Sequence, residues 1–421
     1  MRPEFLFTIL YTLLFIWLVP AIPFVKNSGL GNLKVRMCIL FKLMTGVAVA
    51  YYFAHTSMYS DYLGYNEDGR AQYELLLAQP KLFFTDFNAD ADTYGYGGLL
   101  DASYSFWGYL RFNLLFKFIG LMDLLTRGNF YLNCVLFSSF VFFAHIAFYR
   151  IYADIYQQHQ LKLLLLCFLI PSLLVYTACP HKDGLIFMAM GAVSFVFYRY
   201  LKTGKLGIKG WVLSLLALSC IFLLRNYVLL ALLPALLTAW LCKVMPLSKT
   251  LVVAGSYLLY ASLFFLFGFV SPSANLPEAV VKRKADFALQ AVGATDLPMR
   301  ELRPGVTGFI SNLPQALNHS LLRPYIWEFG NKAVWLTAIE LMAYQVLFLA
   351  FILFGNLKTG GVHVFNIYGW AFFLTMMLII GYTIPNVGAI VRYRSLVWIF
   401  VLCPMLAGIN WQRLPFWRTE G

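Results

Sequence analysis

Eleven apolar runs divide this sequence and leave it one class of fold. They lie near residues 4–25, 37–56, 129–149, 163–178, 185–201, 211–225, 227–242, 250–269, 333–354, 364–383 and 391–409. An apolar helix needs about 20 residues to cross the hydrocarbon core of a bilayer. The chain is 61% hydrophobic and 12% charged, with mean hydropathy +0.71, a composition outside the range of soluble domains. The fold expected is all-α: a polytopic transmembrane helix bundle of eleven spans, forming one membrane domain over residues 1–421. Arg225-Asn226 splits one long apolar stretch, as a tight turn between two spans or as a polar break inside one. The first run contains Pro20 and Pro23 and has no small-x-small cleavage site, so it is not read as a cleavable signal peptide. It either crosses or re-enters.

Charge orients the bundle. Lys26, Lys34, Arg36, Arg150, Lys162, Arg199, Lys202, Lys205, Lys209, Lys243, Lys249, Lys358, Arg413 and Arg418 all fall on one side if the N-terminus is outside. By the positive-inside rule that side is the cytoplasm. Of the 19 Asp and Glu, 16 then face the other way. The net charge of +13 is dispersed among the spans, which suits anionic lipid headgroups as partners and not nucleic acid. Two extracytoplasmic loops follow, about 57–128 and 271–332. They are too short for a large separate domain and are read as caps carrying interfacial helices. Segment 104–122 mixes aromatics with Arg111, Asn113 and Lys117 and is read as one of these helices. No internal repeat of the transporter kind is visible.

Titratable residues gather on the outer side. Asp61 follows directly on an apolar run, where a carboxylate can take a proton from an incoming hydroxyl. Asp68, seven residues on, shares a face with it if the segment is helical. Pro180-His181-Lys182-Asp183-Gly184 places three titratable groups between two spans, which is costly unless they pair or line a polar cavity. There Lys182 can bind phosphate as a point charge, Asp183 can hold it, and His181 can shuttle a proton; the plainer reading is a helix cap with Lys182 snorkelling. Arg225 marks an anion site or a cavity by default. Arg323 and Glu328 flank Pro324-Tyr325-Ile326-Trp327, as a phosphate clamp or as an interfacial anchor with a local ion pair. Arg392-Tyr393-Arg394 puts two arginines on the outer side against the charge rule, and a diphosphate would explain them.

Other features carry less. His319 is a weaker candidate, and His55 and His145 read as structural. The seven cysteines have no paired spacing; all but Cys179 read as small hydrophobes, and Cys179 stands just before the His181 cluster. Asp86, Asp90 and Asp92 lack calcium-hand spacing and read as a solvated acidic loop, with Mg²⁺ or Mn²⁺ the alternative. No cofactor is required by any motif. Gly95-Tyr96-Gly97-Gly98 has no Lys-Ser or Lys-Thr after it.

Together, Asp61 in the first outer loop, the His181-Lys182-Asp183-Gly184 turn, Leu322-Arg323-Pro324-Tyr325-Ile326-Trp327-Glu328 and Arg392-Tyr393-Arg394 resemble the GT-C superfamily of integral-membrane glycosyltransferases and the related polysaccharide polymerases. The resemblance implies Asp61 as base for the acceptor hydroxyl. It implies Lys182, Arg225, Arg323, Arg392 and Arg394 as ligands of the donor phosphate. The additional apolar run 4–25 departs from the family's usual layout.

The function expected is transfer of a sugar from a polyprenyl-phosphate-linked donor to a glycan, lipid or protein acceptor, outside a bacterial cytoplasmic membrane, in cell-envelope glycan synthesis. Preplaced cations offset the charge that grows on a phosphate leaving group. Two other readings compete. One is a repeat-unit polymerase or ligase with a diphosphate-linked donor. The other is a flippase or other transporter, which would place its charges near the bilayer midplane.

Overall fold

The computed structural model describes residues 3–56, 61–87, 106–270, 275–289, 295–328, 332–355 and 363–413. Among these the regular structure is helical. The first helices are α1 (Pro3–Leu18), α2 (Pro23–Lys26), α3 (Asn32–His55), α4 (Asp61–Ala78), α5 (Pro80–Thr85) and α6 (Phe106–Thr126). Next come α7 (Phe130–Ile155), α8 (Gln160–Leu169), α9 (Pro171–Tyr176), α10 (Lys182–Thr203) and α11 (Ile208–Val244). The last are α12 (Lys249–Val270), α13 (Leu276–Ala288), α14 (Val306–Leu317), α15 (Lys332–Phe354), α16 (Val364–Thr383), α17 (Val387–Ser395) and α18 (Ile399–Gly408).

The punctuation is local chemistry. Proline opens α2, α5 and α9, where its missing N–H costs nothing. Gly128 and Gly204 follow α6 and α10 at φ +73° and +71°, the left-handed position that ends a helix. Asn275 and Asn386 cap α13 and α17 by accepting from the amides of Glu278 and Ala389.

Among the described residues, seven helices are long and apolar enough to cross a membrane: α3, α7, α10, α11, α12, α15 and α16. The pair α17–α18, bent by 64°, makes an eighth if it is one broken span. The chain is therefore an all-α membrane protein. Four expected runs take other forms. Run 4–25 is α1, a 3₁₀ turn and α2. Run 163–178 falls on α8 and α9, broken before Pro171. Runs 211–225 and 227–242 share α11, whose backbone leaves the helical region at Arg225 (φ −152°, ψ 82°). Neither α4 nor α6 passes as a span.

The chain folds as two compact units. The first is Met1–Ile151, Cys167–Val196 and Lys205–Asn226. Along α7 it buries Val135, Phe137, Val141, Phe142 and Phe148. Helices in lipid are held by close packing and not by escape from water, and α10 meets α7 through small residues. Gly191 faces Ala144, where an added Cβ would lie 3.0 Å from the alanine Cβ. Gly184, seven residues earlier, faces Phe137, and a Cβ there would overlap the ring. The paired positions advance together, so α7 and α10 run parallel. Gly184→Ala is expected to cost about 1–3 kcal/mol through overpacking, read as a lower thermal midpoint in detergent. An unchanged midpoint would mean that Phe137 yields freely. In the same unit α4 lies along α6, with Gly69 against Ile119 and Gly120 against Gln72.

The second unit is Tyr152–Leu166, Phe197–Gly204 and Tyr227–Gly421. Its core runs along α16, where Phe365, Tyr368, Phe372, Met377 and Ile380 are buried. Gly381 lets the backbone of α14 at Ala316 approach, and Tyr382 donates to the Phe309 carbonyl at 2.8 Å. A short antiparallel pairing joins 295–297 to 385–387 through Leu297 N–H to Pro385 (2.6 Å) and Val387 N–H to Thr295 (3.0 Å). Only 11% of the apolar window is buried in α12 and in α15, as expected of faces turned to lipid.

Candidate functional site

The first unit assembles a cluster from three distant stretches. Asp183 stands in the first turn of α10, where the helix dipole favours a carboxylate. Its Oδ1 lies 2.5 Å from Arg225 Nη2 and its Oδ2 lies 2.9 Å from His181 Nδ1. When protonated, that ring nitrogen donates to the carboxylate. When deprotonated, it accepts the Asp183 N–H at 3.1 Å. Asp183 and His181 are fully buried and Arg225 is 3% exposed. The His181 ring is stacked by Tyr65 (5.3 Å, 22°) and met edge-on by Tyr62 (5.5 Å), both on α4. Asp61, half-buried, is therefore one residue from a direct His181 contact. Half-buried Lys182 sets its ammonium 4.5 Å from the Phe112 ring of α6.

The turn before this cluster is gripped from behind. Lys42 of α3, 1% exposed, donates to the carbonyls of Leu174 (3.2 Å) and Thr177 (3.1 Å) and to the Thr177 hydroxyl (2.7 Å). Ser138 of α7 donates to the Ala178 carbonyl at 2.9 Å. Three acceptors satisfy the three protons of an ammonium, so Lys42 acts here as a fixing group. Neither contact is legible in sequence, where Lys42 is one cation in an apolar run.

A second buried network leaves no trace in the sequence. Asn133 donates to Asp123 Oδ1 at 2.7 Å and to Asn66 Oδ1 at 2.8 Å, with the Thr126 hydroxyl 2.6 Å from Asn133 Oδ1. It ties α4, α6 and α7 together. Burial raises the Asp123 carboxyl above its usual range, against the lowering effect of Asn133 and Thr126. The spacing Asn66…Asp123…Asn133 carries no periodic signal.

The second unit holds the remaining candidates. Arg323 Nε lies 3.2 Å from Glu328 Oε1, and its Nη1 lies 3.5 Å from His319 Nε2. Tyr325 donates its hydroxyl to Asn318 (2.6 Å) and its amide to Glu328 Oε2 (3.3 Å). Arg394, 2% exposed, donates to the carbonyls of Ser320 (2.9 Å) and Arg323 (2.6 Å). It braces the 318–323 turn from within. Arg392 is half-buried beside Tyr393, whose ring lies 6.3 Å from Tyr227; Arg283 of α13 stands 5.5 Å from that Tyr227 ring. Lys284 donates to the Arg300 carbonyl. Arg283 and Lys284 thus add cations to this group, and no motif in the sequence marks them.

His319 is 2% exposed, and burial, then Arg323 and Lys284, lower its pKa to about 4. The folded state therefore holds it neutral, whereas an unfolded imidazole titrates near 6.5. Unfolded chains then bind the extra proton between those values, so stability is complete above about pH 6.5 and falls as the pH drops toward 4. A loss of about 3 kcal/mol is expected over that window, at about 1.4 kcal/mol per unit. His319→Gln should flatten the profile. An equally steep fall in the variant would assign the effect to other groups.

Of the residues marked in sequence, the structure joins His181, Asp183 and Arg225 directly; Lys182 lies between two of them in the chain, and Asp61 precedes Tyr62, which meets the His181 ring. It separately joins Arg323, Glu328 and Arg394. Asp68 lies on α4 with Asp61 but is exposed. Asp183, given a catalytic role in sequence, turns its carboxylate oxygens to Arg225 and His181 and is fully buried. Arg394 is likewise committed to carbonyls. Among the described residues no three His, Cys, Asp or Glu side chains come together as metal ligands; Asp90 and Asp92 lie outside those residues. No family model, no curated protein and no solved structure matches the chain.

Proposed function

We propose that the chain is an integral-membrane glycosyltransferase of GT-C type, moving a sugar from a polyprenyl-phosphate-linked donor to an extracytoplasmic acceptor in a bacterial envelope. The observation that carries this reading is the contact of α4, the helix that Asp61 opens, with the His181 ring of the His181, Asp183 and Arg225 cluster in the first unit. Asp61 is the one acid of that group with open surface, and it takes the proton of the acceptor hydroxyl. Lys182 is the accessible cation and meets the donor phosphate. Asp183 keeps Arg225 and His181 in place.

One observation supports the eleven-span count: α7 and α10 run parallel in the first unit, so the chain between them returns to the starting face through α8 and α9. Charges at one face, and not at mid-depth, favour a transferase over a transporter.

The test is reconstitution. Purified protein in liposomes, given a labelled polyprenyl-phosphate sugar and a lipid or glycan acceptor, should release the polyprenyl phosphate and label the acceptor. Long products from a diphosphate-linked donor would identify the polymerase reading. Label that changes leaflet while staying on its lipid would replace both with a transporter.

A further inference from the structure

Cys134 and Cys179 belong to the chemistry of the same region and have no part in the mechanism above. Cys134 lies one turn into α7 and Cys179 lies two residues before His181. Both are fully buried and both are free thiols. They share one apolar cluster with Ala50, Tyr62, Phe130, Tyr131 and Ala178. The backbones are brought close by independent contacts. Ser138, one helical turn past Cys134 on the same face of α7, hydrogen-bonds the carbonyl of Ala178. A Cβ on Gly46 of α3 would lie 3.4 Å from the Cys134 carbonyl oxygen and 3.5 Å from that of Ala178.

We propose that Cys134 and Cys179 are a disulfide-forming pair, oxidised by a small-molecule or protein disulfide, which staples the turn carrying His181 and Asp183 to the start of α7. The Cys179 thiolate attacks the donor disulfide, giving a mixed disulfide and one released thiol. Cys134, deprotonated, then attacks the Cys179 sulfur, forming the intramolecular bond and releasing the second thiol. The donor takes two electrons, and the two protons from the cysteines end on the two released thiols. The other five cysteines are not placed in this cluster. A side chain that is fully buried meets an oxidant only when its turn opens, so the reaction samples that opening. Its consequence follows from Tyr62, which packs on both the cysteine cluster and the His181 ring: the linked form holds the cluster shut. The cross-link itself stands apart from the transferase reading. Only the compartment, an oxidising extracytoplasmic face, rests on it.

The test uses the full chain in detergent micelles, treated with 4,4′-dithiodipyridine, alkylated and mapped by mass spectrometry. The expected result is a peptide pair joined through 134 and 179, lighter by two hydrogens and parted by dithiothreitol. It should vanish in Cys134→Ser and in Cys179→Ser, and in the linked form the amides of Asp183 and Gly184 should exchange with deuterium more slowly. Full alkylation of both thiols after oxidation, or cysteines carrying only the pyridyl adduct, would overturn the pairing. A linked peptide with unchanged exchange at 183–184 would overturn the staple. Since the mapping is done on the unmutated chain, poor folding of a serine variant leaves the result readable.

Discussion

Asp61→Asn is expected to lower sugar transfer by about 10²–10⁴-fold, the usual range for loss of a positioned general base, while the protein stays folded. Asp61 is half-buried and opens α4, and Asn is nearly isosteric and as good at a helix start. The amide cannot accept the acceptor's proton, so kcat should fall with little change in the donor's KM. In cells, the lipid-linked donor should accumulate outside. The measurement is initial rate in liposomes, beside thermal unfolding of the same preparation. Full activity in a folded variant would remove Asp61 from the mechanism. A parallel variant at exposed Asp68 should be close to wild type, which separates a specific base from general loss of outer negative charge.

The second large effect is on stability. Asp183→Ala leaves Arg225 and His181 facing each other in a buried site with their shared carboxylate gone. Removing one member of a buried ion pair costs about 3–5 kcal/mol, because the remaining charge is stranded. The cost should show as a large drop in the unfolding midpoint in detergent. It should shrink when the stranded charge is also removed, in Asp183→Ala with Arg225→Leu, since an apolar replacement of the whole pair is near neutral. Such recovery identifies a held ion pair. A loss of under about 1 kcal/mol in the single variant would mean that the cluster is open to water and that Asp183 is available to a substrate after all.

The fold is legible in the sequence to the extent that it is local. Apolar runs mark α3, α7, α10, α12, α15 and α16 directly, because hydropathy adds along a helix and needs no partner. The breaks are harder. Arg225-Asn226 reads equally as a turn or a kink, and only the backbone shows that the helix is interrupted at Arg225. Segment 104–122 is ambiguous by hydropathy alone, and its place along polar α4 is a tertiary fact. The candidate site is half legible. His181, Lys182, Asp183 and Arg225 stand out as charge in apolar surroundings, but Lys42, Asn66, Asp123 and Asn133 do not, since one polar residue per helix face gives no pattern.

By itself the sequence determined that this chain is helical and lies in a membrane. Those properties depend on composition and order alone. Tertiary structure decided how deeply each charge is buried: Asp183 and Arg394 lie inside the protein, while Asp61, Lys182 and Arg392 are half-buried. The reason is physical. Inside a low-dielectric bundle the state of an ionisable group is set by what stands within a few ångströms of it, and for Asp183 one of those neighbours, Arg225, is 42 residues away along the chain.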